Sequence, residues 1–559
     1  MPRANASKTS TESGLPDVEG GHGPLRDSEG LGSRLVARLG RVLNPTVRRA
    51  IEDRLQAAFD LKPDSEKLTL KIETDLSRRL VVGSGTVLLL RGWCSHPSKE
   101  IVRLEILVDG VPRAVAEYGL NSVDARPRPL EDEPSAGRLA TGFVAMVPFP
   151  ALAAARSASL SVRARLRGGR VAEASLGALY LVPSARQPIP LPANVASTPG
   201  APLIAICLAT YQPPLPWLKI QLDSLINQTH KNWICIVNDD ASPLATWEKI
   251  QQLTARDPRF VAFRNPERLG FYANFERALE RVPKAVDYVA LCDQDDAWYP
   301  DKLSASLAEF RPDTTLVYCD MNLVSRDGAK LSDTYWTTRR NNYTDFETLL
   351  IANTVTGAAS VFRADLLGDV LPFPQRVTGS YHDHWIACMA MVRGRLGYVD
   401  RPLYAYRQHG GNVVGHAAPE PSRIGPAART VLRLALTWPL TRTATGHELR
   451  NRLLFHDTVF NNDVVRIAAL AKTLELRAGD VSHERAVVIH RFARLHRSVA
   501  RLALEGIKYE LTDRPSLGLE WYYLKGAVGH RLYHAYYRGL ARAQRGRNAT
   551  KQAAPRPAT

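Results

Sequence analysis

The chain is short of sulfur and of long apolar runs. Its 559 residues include six cysteines, Cys94, Cys207, Cys235, Cys292, Cys319 and Cys388, and no two of them form a CxxC pair. That spacing argues against a cysteine-based zinc site and against a disulfide framework. Most of the six fall inside apolar runs, as buried free thiols do in a reducing compartment. No apolar stretch reaches the roughly 18–20 residues that a membrane span needs. The longest candidate, 431–440, is short and contains Arg433 and Pro439. The first 30 residues are polar and carry no apolar h-region, so no signal peptide is expected. The expected location is cytoplasmic, at most peripheral on the inner membrane face.

What is present is ordinary for a globular chain in all but charge. Hydrophobic residues make up 45% and aromatics 8%, which excludes collagen-like and wholly disordered readings. The formal net charge is +17, an excess that suggests a polyanionic partner. The excess is uneven. Residues 1–200 hold 27 basic and 21 acidic groups, 201–416 hold 22 and 24, and 417–559 hold 24 and 11. The last 39 residues contain eight basic groups and no acidic one. Aromatics interleave with them, as in Trp521–Lys525 and Arg531–Arg538, a pattern suited to an anionic membrane surface. The same pattern also fits a helix that packs its aromatics on a domain. No nucleic-acid-binding motif accompanies the charge, so nucleic acid is not an expected partner.

The hydropathy period changes several times along the chain. Residues 1–32 read as a disordered tail, and 33–66 as amphipathic helices broken near Pro45. From 67 to 184 apolar and polar residues alternate, with a hairpin turn at Asp109-Gly110, which predicts a small β-sandwich. A Pro-rich stretch, 185–201, reads as a linker. From 202 to 416 apolar strands alternate with amphipathic helices, which predicts an α/β domain with a mostly parallel sheet. The remainder, 417–559, reads as a helical basic C-terminal region.

Carboxylates gather at the strand ends of the α/β domain. Val237 is followed by Asn238-Asp239-Asp240-Ala241-Ser242, and the run Tyr288–Cys292 by Asp293-Gln294-Asp295-Asp296-Ala297-Trp298. In open α/β sheets ligands bind outside the carboxyl ends of the strands. Two carboxylates one residue apart in a turn suit a hard divalent cation that takes its other ligands from phosphate. Helix capping is the plain alternative, and Asp296 suits it. Three acidic residues in four positions directly after a buried strand exceed what a cap requires.

These segments carry a resemblance. Ile204–Tyr211, Leu222–Thr229 and Asn238–Ser242 resemble the donor-binding half of family-two glycosyltransferases with the GT-A (Rossmann-like) fold. Asp293–Leu303 resembles that family's DxD segment. The resemblance continues through Asn353–Gly357 and His382–Trp385 to Tyr406–Asn412, and the last two are similar to rhamnosyltransferases and related O-antigen or capsule enzymes. It implies a nucleotide-sugar domain preceded by the β-sandwich and followed by the helical basic tail. It implies that Thr210 and Tyr211 meet the nucleotide base, that Asp240 hydrogen-bonds it with Asp239 beside it, and that Asn274 lines the donor pocket. Asp293 and Asp295 would form the DxD pair, Asp293 nearer the ribose and Asp295 on the metal. His409 would add a metal ligand, the metal being Mg²⁺ or Mn²⁺. Asp383 matches the catalytic carboxylate, although His382 and His384 flank it where the family has an acidic or aromatic neighbour.

The chemistry agrees with those roles. Breaking a sugar–diphosphate bond calls for neutralisation of the leaving diphosphate and for a carboxylate to take the acceptor proton. With no second carboxylate placed as a nucleophile, single displacement with inversion is the expectation. The partners expected are a nucleotide-diphosphate sugar and a glycan or polyprenyl-linked acceptor. A non-catalytic glycan-binding scaffold built on a decayed GT-A domain is the competing reading. The intact acidic motifs weigh against it.

Overall fold

The computed structural model describes residues 64–74, 76–120, 141–184, 186–192, 200–336, 341, 343–377, 379–409, 455, 457–504 and 523–535. The chain divides into two units, Met1–Asp64 with Gly168–Val171, and Ser65–Arg167 with Ala172–Thr559. Of the first, Asp64 and Gly168–Val171 are described. The expected tail 1–32 and nearly all of the expected helices of 33–66 lie outside the described residues. The sheets and the site that follow belong to the second unit.

Nine strands come first: β1 (Thr69–Ile72), β2 (Arg79–Val81), β3 (Gly85–Ser95), β4 (Ile101–Val108), β5 (Val111–Val115), β6 (Glu117–Leu120), β7 (Gly142–Pro150), β8 (Arg156–Leu166) and β9 (Val171–Val182). They form two sheets, ordered β1-β3-β7-β6 and β2-β9-β8-β4-β5. Alternation along β8 buries Ala158, Leu160, Val162, Ala164 and Leu166 on one face. These pack with Leu88, Leu90, Phe143, Ala145 and Val147 of the other sheet in a common core. The β4–β5 hairpin turns on Asp109 and Gly110, both left-handed at φ 51° and 75°. Two such residues are what a type I′ hairpin requires, and the Asp-Gly pair supplies them.

The next nine strands are β10 (Ile204–Thr210), β11 (Trp233–Asp239), β12 (Phe260–Arg264), β13 (Tyr288–Cys292), β14 (Ala297–Trp298), β15 (Thr314–Val324), β16 (Lys330–Ser332), β17 (Ser360–Arg363) and β18 (Arg395–Arg407). They form one mixed sheet, β12-β11-β10-β13-β17-β15-β18-β14, with β16 on β15. The first four are parallel, β17 runs antiparallel to both neighbours, and β15 and β18 are parallel. The central strands are buried on both faces, which is why β10 and β11 read as continuous apolar runs rather than alternating ones. β11 runs two residues past Val237, so Asn238 and Asp239 are strand residues rather than loop residues. Register pairs Thr210 with Asp239 and Leu208 with Cys292, so the turns after β10, β11 and β13 meet at one edge.

Two segments behave differently from their sequence expectation. The Pro-rich stretch is strapped to the α/β domain where it is described. Gln187 N–H donates to Glu280 O and Ile189 N–H to Arg281 O, at 3.2 and 2.9 Å. The C-terminal region, expected as a tail, is built into the core. Val464, Ile467, Ala468, Leu474, Phe492 and Tyr523 share one apolar cluster with Ile204, Leu291 and Trp385. Tyr523 and Tyr533 are 3% and 2% exposed, as the packed alternative for these aromatics has it rather than the lipid-surface one. Burial of apolar surface, not the charge pattern, sets their direction. Trp521, Tyr522, Tyr536 and Tyr537 lie outside the described residues. None of the described helices is long and apolar enough to cross a membrane.

Arg477, at the end of the helix Val465–Arg477, fastens this region. It is 2% exposed, and its guanidinium donates to Gly85 O (2.6 Å), Asp369 O (2.7 Å), Val370 O (3.1 Å) and Pro372 O (2.8 Å). It also lies over the Trp385 ring, 5.1 Å from its centroid. One side chain thereby joins β3, the 369–372 turn and the C-terminal helix. Arg477→Ala takes the guanidinium from Gly85 O, Asp369 O and Pro372 O, while Val370 O keeps Trp385 Nε1 at 2.9 Å. At about 1–3 kcal/mol for each buried group left unsatisfied, a loss of roughly 3 kcal/mol is expected in urea unfolding. A change under about 1 kcal/mol would remove this fastening role.

Candidate active site

At the carboxyl edge of the sheet lies a cavity of about 710 Å³. Thr210, Tyr211, Asp240, Asn274, Asp293, Asp295 and Asp383 all line it, as do Arg268, Arg376, Arg466 and Tyr523. Residues from β10, the turn after β13, the helices Phe271–Glu280, Phe346–Ile351 and His382–Arg393, and the C-terminal region thus converge on one space.

The loops after β10 and β11 are held rigidly. Gln212 and Ala241 adopt left-handed conformations, φ 41° and 59°, which non-glycine residues keep only where surroundings enforce them. Gln212 N–H donates to Ser242 Oγ (2.8 Å), and Ser242 Oγ donates to Asp239 Oδ1 (2.6 Å). Tyr211 N–H donates to the Gln294 side chain (2.7 Å), tying the first loop to the acidic turn after β13. Arg268 lies over the Tyr211 ring at 4.1 Å.

Asp239 is fully buried and accepts from Thr210 Oγ1, Ser242 N and Ser242 Oγ. Its side chain is turned beneath the loop, and it is not among the residues lining the cavity. The reason is the longer β11. Asp240 does line the cavity and braces the next loop, accepting from Leu269 N (2.7 Å), Gly270 N (2.8 Å) and Asn265 Nδ2 (3.1 Å). Asn274 accepts from Asn238 Nδ2 (2.7 Å) and Asn265 Nδ2 (2.9 Å) and donates to Asn238 O (3.0 Å). It therefore holds β11 to the helix Phe271–Glu280 as well as facing the cavity.

The turn after β13 concentrates negative charge. Burial, then the charges of Asp295 and Asp383, push the Asp293 carboxyl up to about 7. Asp296 is fully buried and raised further by the same burial and by both neighbours. It accepts from Arg407 N at 3.1 Å, while its other oxygen, Oδ2, finds no partner among the described residues. The balancing cation within the fold is Lys302, fully buried with Nζ 3.5 Å from the Trp298 ring centroid. Asp295 Oδ2 lies 2.7 Å from His409 Nε2, so these two donors converge. Asp293 stands apart: the three do not form a group with all donor atoms within 4.8 Å. Two carboxylates and an imidazole are donor types that Mg²⁺ or Mn²⁺ accepts, and the raised Asp293 and Asp296 mark a site short of positive charge. The residues fit a hard divalent cation.

Asp383 sits in the first turn of the helix His382–Arg393. Burial raises its carboxyl to about 6, against the pull of backbone N–H groups of His384 and Gly357. Gly357 N and Asn353 Nδ2 each donate to it at 3.2 Å. A Cβ on Gly357 would meet His382 Nε2 at 2.8 Å, so this approach needs glycine. The flanking histidines are both neutral, pushed down to about 3 by burial. His382 stacks on Phe275 at 4.0 Å. His384 Nε2–H donates to Leu349 O (2.9 Å), and Arg466 meets its Nδ1 at 3.4 Å.

Several of these residues were not found in the sequence. Gln294 and Lys302 lie inside the DxD-like segment Asp293–Leu303, which assigned neither of them a role. Arg466 and Tyr523 come from the region read as a tail, more than 80 residues beyond Asp383 in the chain, and no local pattern marks them.

The mixed sheet, with its acidic cavity at the carboxyl ends of the first strands, defines an α/β domain of GT-A type. Residues 205–371 match the family described as "Glycosyl transferase family 2", and the domain is a family-two glycosyltransferase domain. The dTDP-rhamnosyl transferase RfbG of Shigella flexneri is 26% identical over 224 residues, 37% of this chain and 73% of that one. A glycosyltransferase of Methanocaldococcus jannaschii, MJ1057, is 24% identical over 193 residues, 34% of this chain and 65% of that one. S. aureus TarS 1-349 in complex with UDP-GlcNAc superposes with a TM-score of 0.35 at 15% identity, covering 60% of this chain and 92% of that one. The chain spans 26%, 65% and 61% of the length of the first three curated relatives it matches, less than two thirds of each.

The asparagine network yields a test. Asn274→Ala removes the acceptor of two buried amides and is expected to cost about 2 kcal/mol or more of stability, read by urea unfolding. Unchanged stability would show that Asn274 only faces the cavity.

Proposed function

We propose that the protein is a metal-dependent inverting glycosyltransferase. It transfers a sugar from a nucleotide-diphosphate donor to a glycan or polyprenyl-linked acceptor in cell-surface polysaccharide synthesis. The observation that carries this reading is the placement of the Asp383 carboxyl, raised to about 6, in the same cavity as Asp293 and Asp295. A general base works best with a pKa near the operating pH, and Asp383 has one. Asp240 braces the 269–270 loop and Asp293 and Asp295 belong to the cation side, whereas Asp383 lines the cavity with its carboxyl raised to about 6, so Asp383 is assigned the proton. A single base of this kind fits single displacement with inversion.

The chain's own groups divide the work as follows. Thr210, Tyr211 and the loop braced by Asp240 form the donor wall, with Arg268 available to the diphosphate. Asp293, Asp295 and His409 would hold the divalent cation, which when bound supplies Lewis-acid neutralisation of the leaving diphosphate. Gly357 N and Asn353 hold the Asp383 carboxylate toward the acceptor hydroxyl, whose proton it receives. Arg466 and Tyr523 wall the same space. The likeness to RfbG makes dTDP-rhamnose the first donor to try. A polyprenyl-linked acceptor would put the enzyme at the cytoplasmic face of the inner membrane.

The test is a panel of dTDP-, UDP- and GDP-sugars with Mn²⁺, read by release of nucleoside diphosphate. Turnover is expected to rise as pH passes upward through about 6, because the base must be ionised, and to level above it. Asp383→Asn should bind donor normally while turnover falls by about 10²-fold or more. Wild-type turnover in that variant would remove Asp383 as the base. Metal-dependent donor binding without transfer to any acceptor would favour the scaffold reading.

A further inference from the structure

A second set of ligand-type side chains lies away from the acidic cavity, and glycosyl transfer makes no use of it. His530 and His534 stand one turn apart on helix 523–535, so both imidazoles share a face. Asp457, in the helical segment before the π-turn Phe460–Val464, comes between them. His530 Nδ1 lies 2.6 Å, and His534 Nε2 2.9 Å, from the same oxygen, Asp457 Oδ1. All three residues are buried, and their donor atoms fall within 4.8 Å of one another. On its other side His530 Nε2 faces the Glu117 carboxylate of β6 at 3.5 Å. Phe460 stacks on the His530 ring at 3.9 Å, fixing its plane.

We propose that Asp457, His530 and His534 form a structural site for a divalent metal of the zinc class, with Glu117 as the outer carboxylate that orients His530. Two imidazoles and one carboxylate are a three-residue donor set that Zn²⁺ takes with water as its fourth ligand. A metal-bound imidazole characteristically gives its other N–H to a carboxylate, and Glu117 occupies that place. Bonds of about 2.0–2.1 Å put tetrahedral donors roughly 3.3 Å apart, so closure needs these contacts to open by well under 1 Å. The metal would replace both protons directed at Asp457 Oδ1: His530 would release its Nδ1 proton to solvent, and neutral His534 would carry its proton on Nδ1 instead of Nε2. A cavity of about 680 Å³, lined by Glu117, Phe460 and His530, supplies the entry path.

The site would clamp a strand of the sandwich to the C-terminal helix. The described part of that helix starts at Tyr523, whose hydroxyl donates to Ile351 O at 3.2 Å and which lines the acidic cavity. Metal binding here would therefore steady one wall of the catalytic space from outside it.

The experiment uses the full chain carrying Asp295→Asn, so that the catalytic cavity does not contribute metal. After dialysis against metal-free buffer, elemental analysis is expected to find about one zinc per chain. Cobalt substitution should give the visible absorption of four-coordinate Co²⁺. Glu117→Gln should retain the fold and bind about 10–100-fold more weakly. Asp457→Asn with His534→Ala should lose the metal, the absorption and the rise in Tm that added Zn²⁺ gives the parent. The proposal is overturned if the parent binds no more Zn²⁺ or Co²⁺ than the Asp457→Asn, His534→Ala variant. It is also overturned if Glu117→Gln binds as tightly as the parent. In either case His530 is a protonated bridge between two carboxylates.

Discussion

The carboxyl edge of the mixed sheet is organised by repulsion. Asp293, Asp295, Asp296 and Asp383 bring four carboxylates to one end of a sheet whose interior is apolar. Two of them are raised by burial and by one another, and a third by burial. Like charges in a low dielectric are tolerated only when protonated, paired or met by a cation. The surrounding structure answers that demand piece by piece. Lys302 is buried beneath the turn against Trp298, Arg407 donates its backbone N–H to Asp296, and Gly357 approaches closely enough to hydrogen-bond Asp383.

What is left unanswered defines the site. The Asp293 carboxyl is pushed up by burial and its acidic neighbours, and one oxygen of Asp296 has no partner among the described residues. Under the proposed function, a divalent cation and a diphosphate would complete such a cluster together, because each supplies the charge the other lacks. The loops that would meet the rest of the donor are stiff by comparison. Left-handed residues at Gln212 and Ala241, and the Asn238–Asn265–Asn274 network, fix them before any ligand arrives. Preorganisation of this kind lowers the cost of ordering on binding.

The C-terminal region changes meaning most between sequence and structure. Its charge excess drew attention to its surface. Its contribution lies in its buried groups: Arg477 bridging four carbonyls, Arg466 beside His384, and Tyr523 in the cavity wall. A cavity completed from the far end of the chain couples the folding of that end to the chemistry.

The sequence by itself determined the elements and the chemistry of their ends. Apolar runs in β10, β11 and β13 specify buried parallel strands, alternation in β8 specifies a sandwich strand, and Asp109-Gly110 specifies its hairpin, because period and turn chemistry are local properties. The acidic turn Asp293–Asp296 was legible for the same reason, as was Asp383 through the motif it resembles. Only the tertiary structure decided which of these groups meet. It turned Asp239 inward, drew His409 onto Asp295 across more than 100 residues, and put Asp457 between two histidines more than 70 residues away. It also folded the basic C-terminal region into the core. Such contacts have no local signature, because they follow from how strands order in a sheet and where apolar faces find cover.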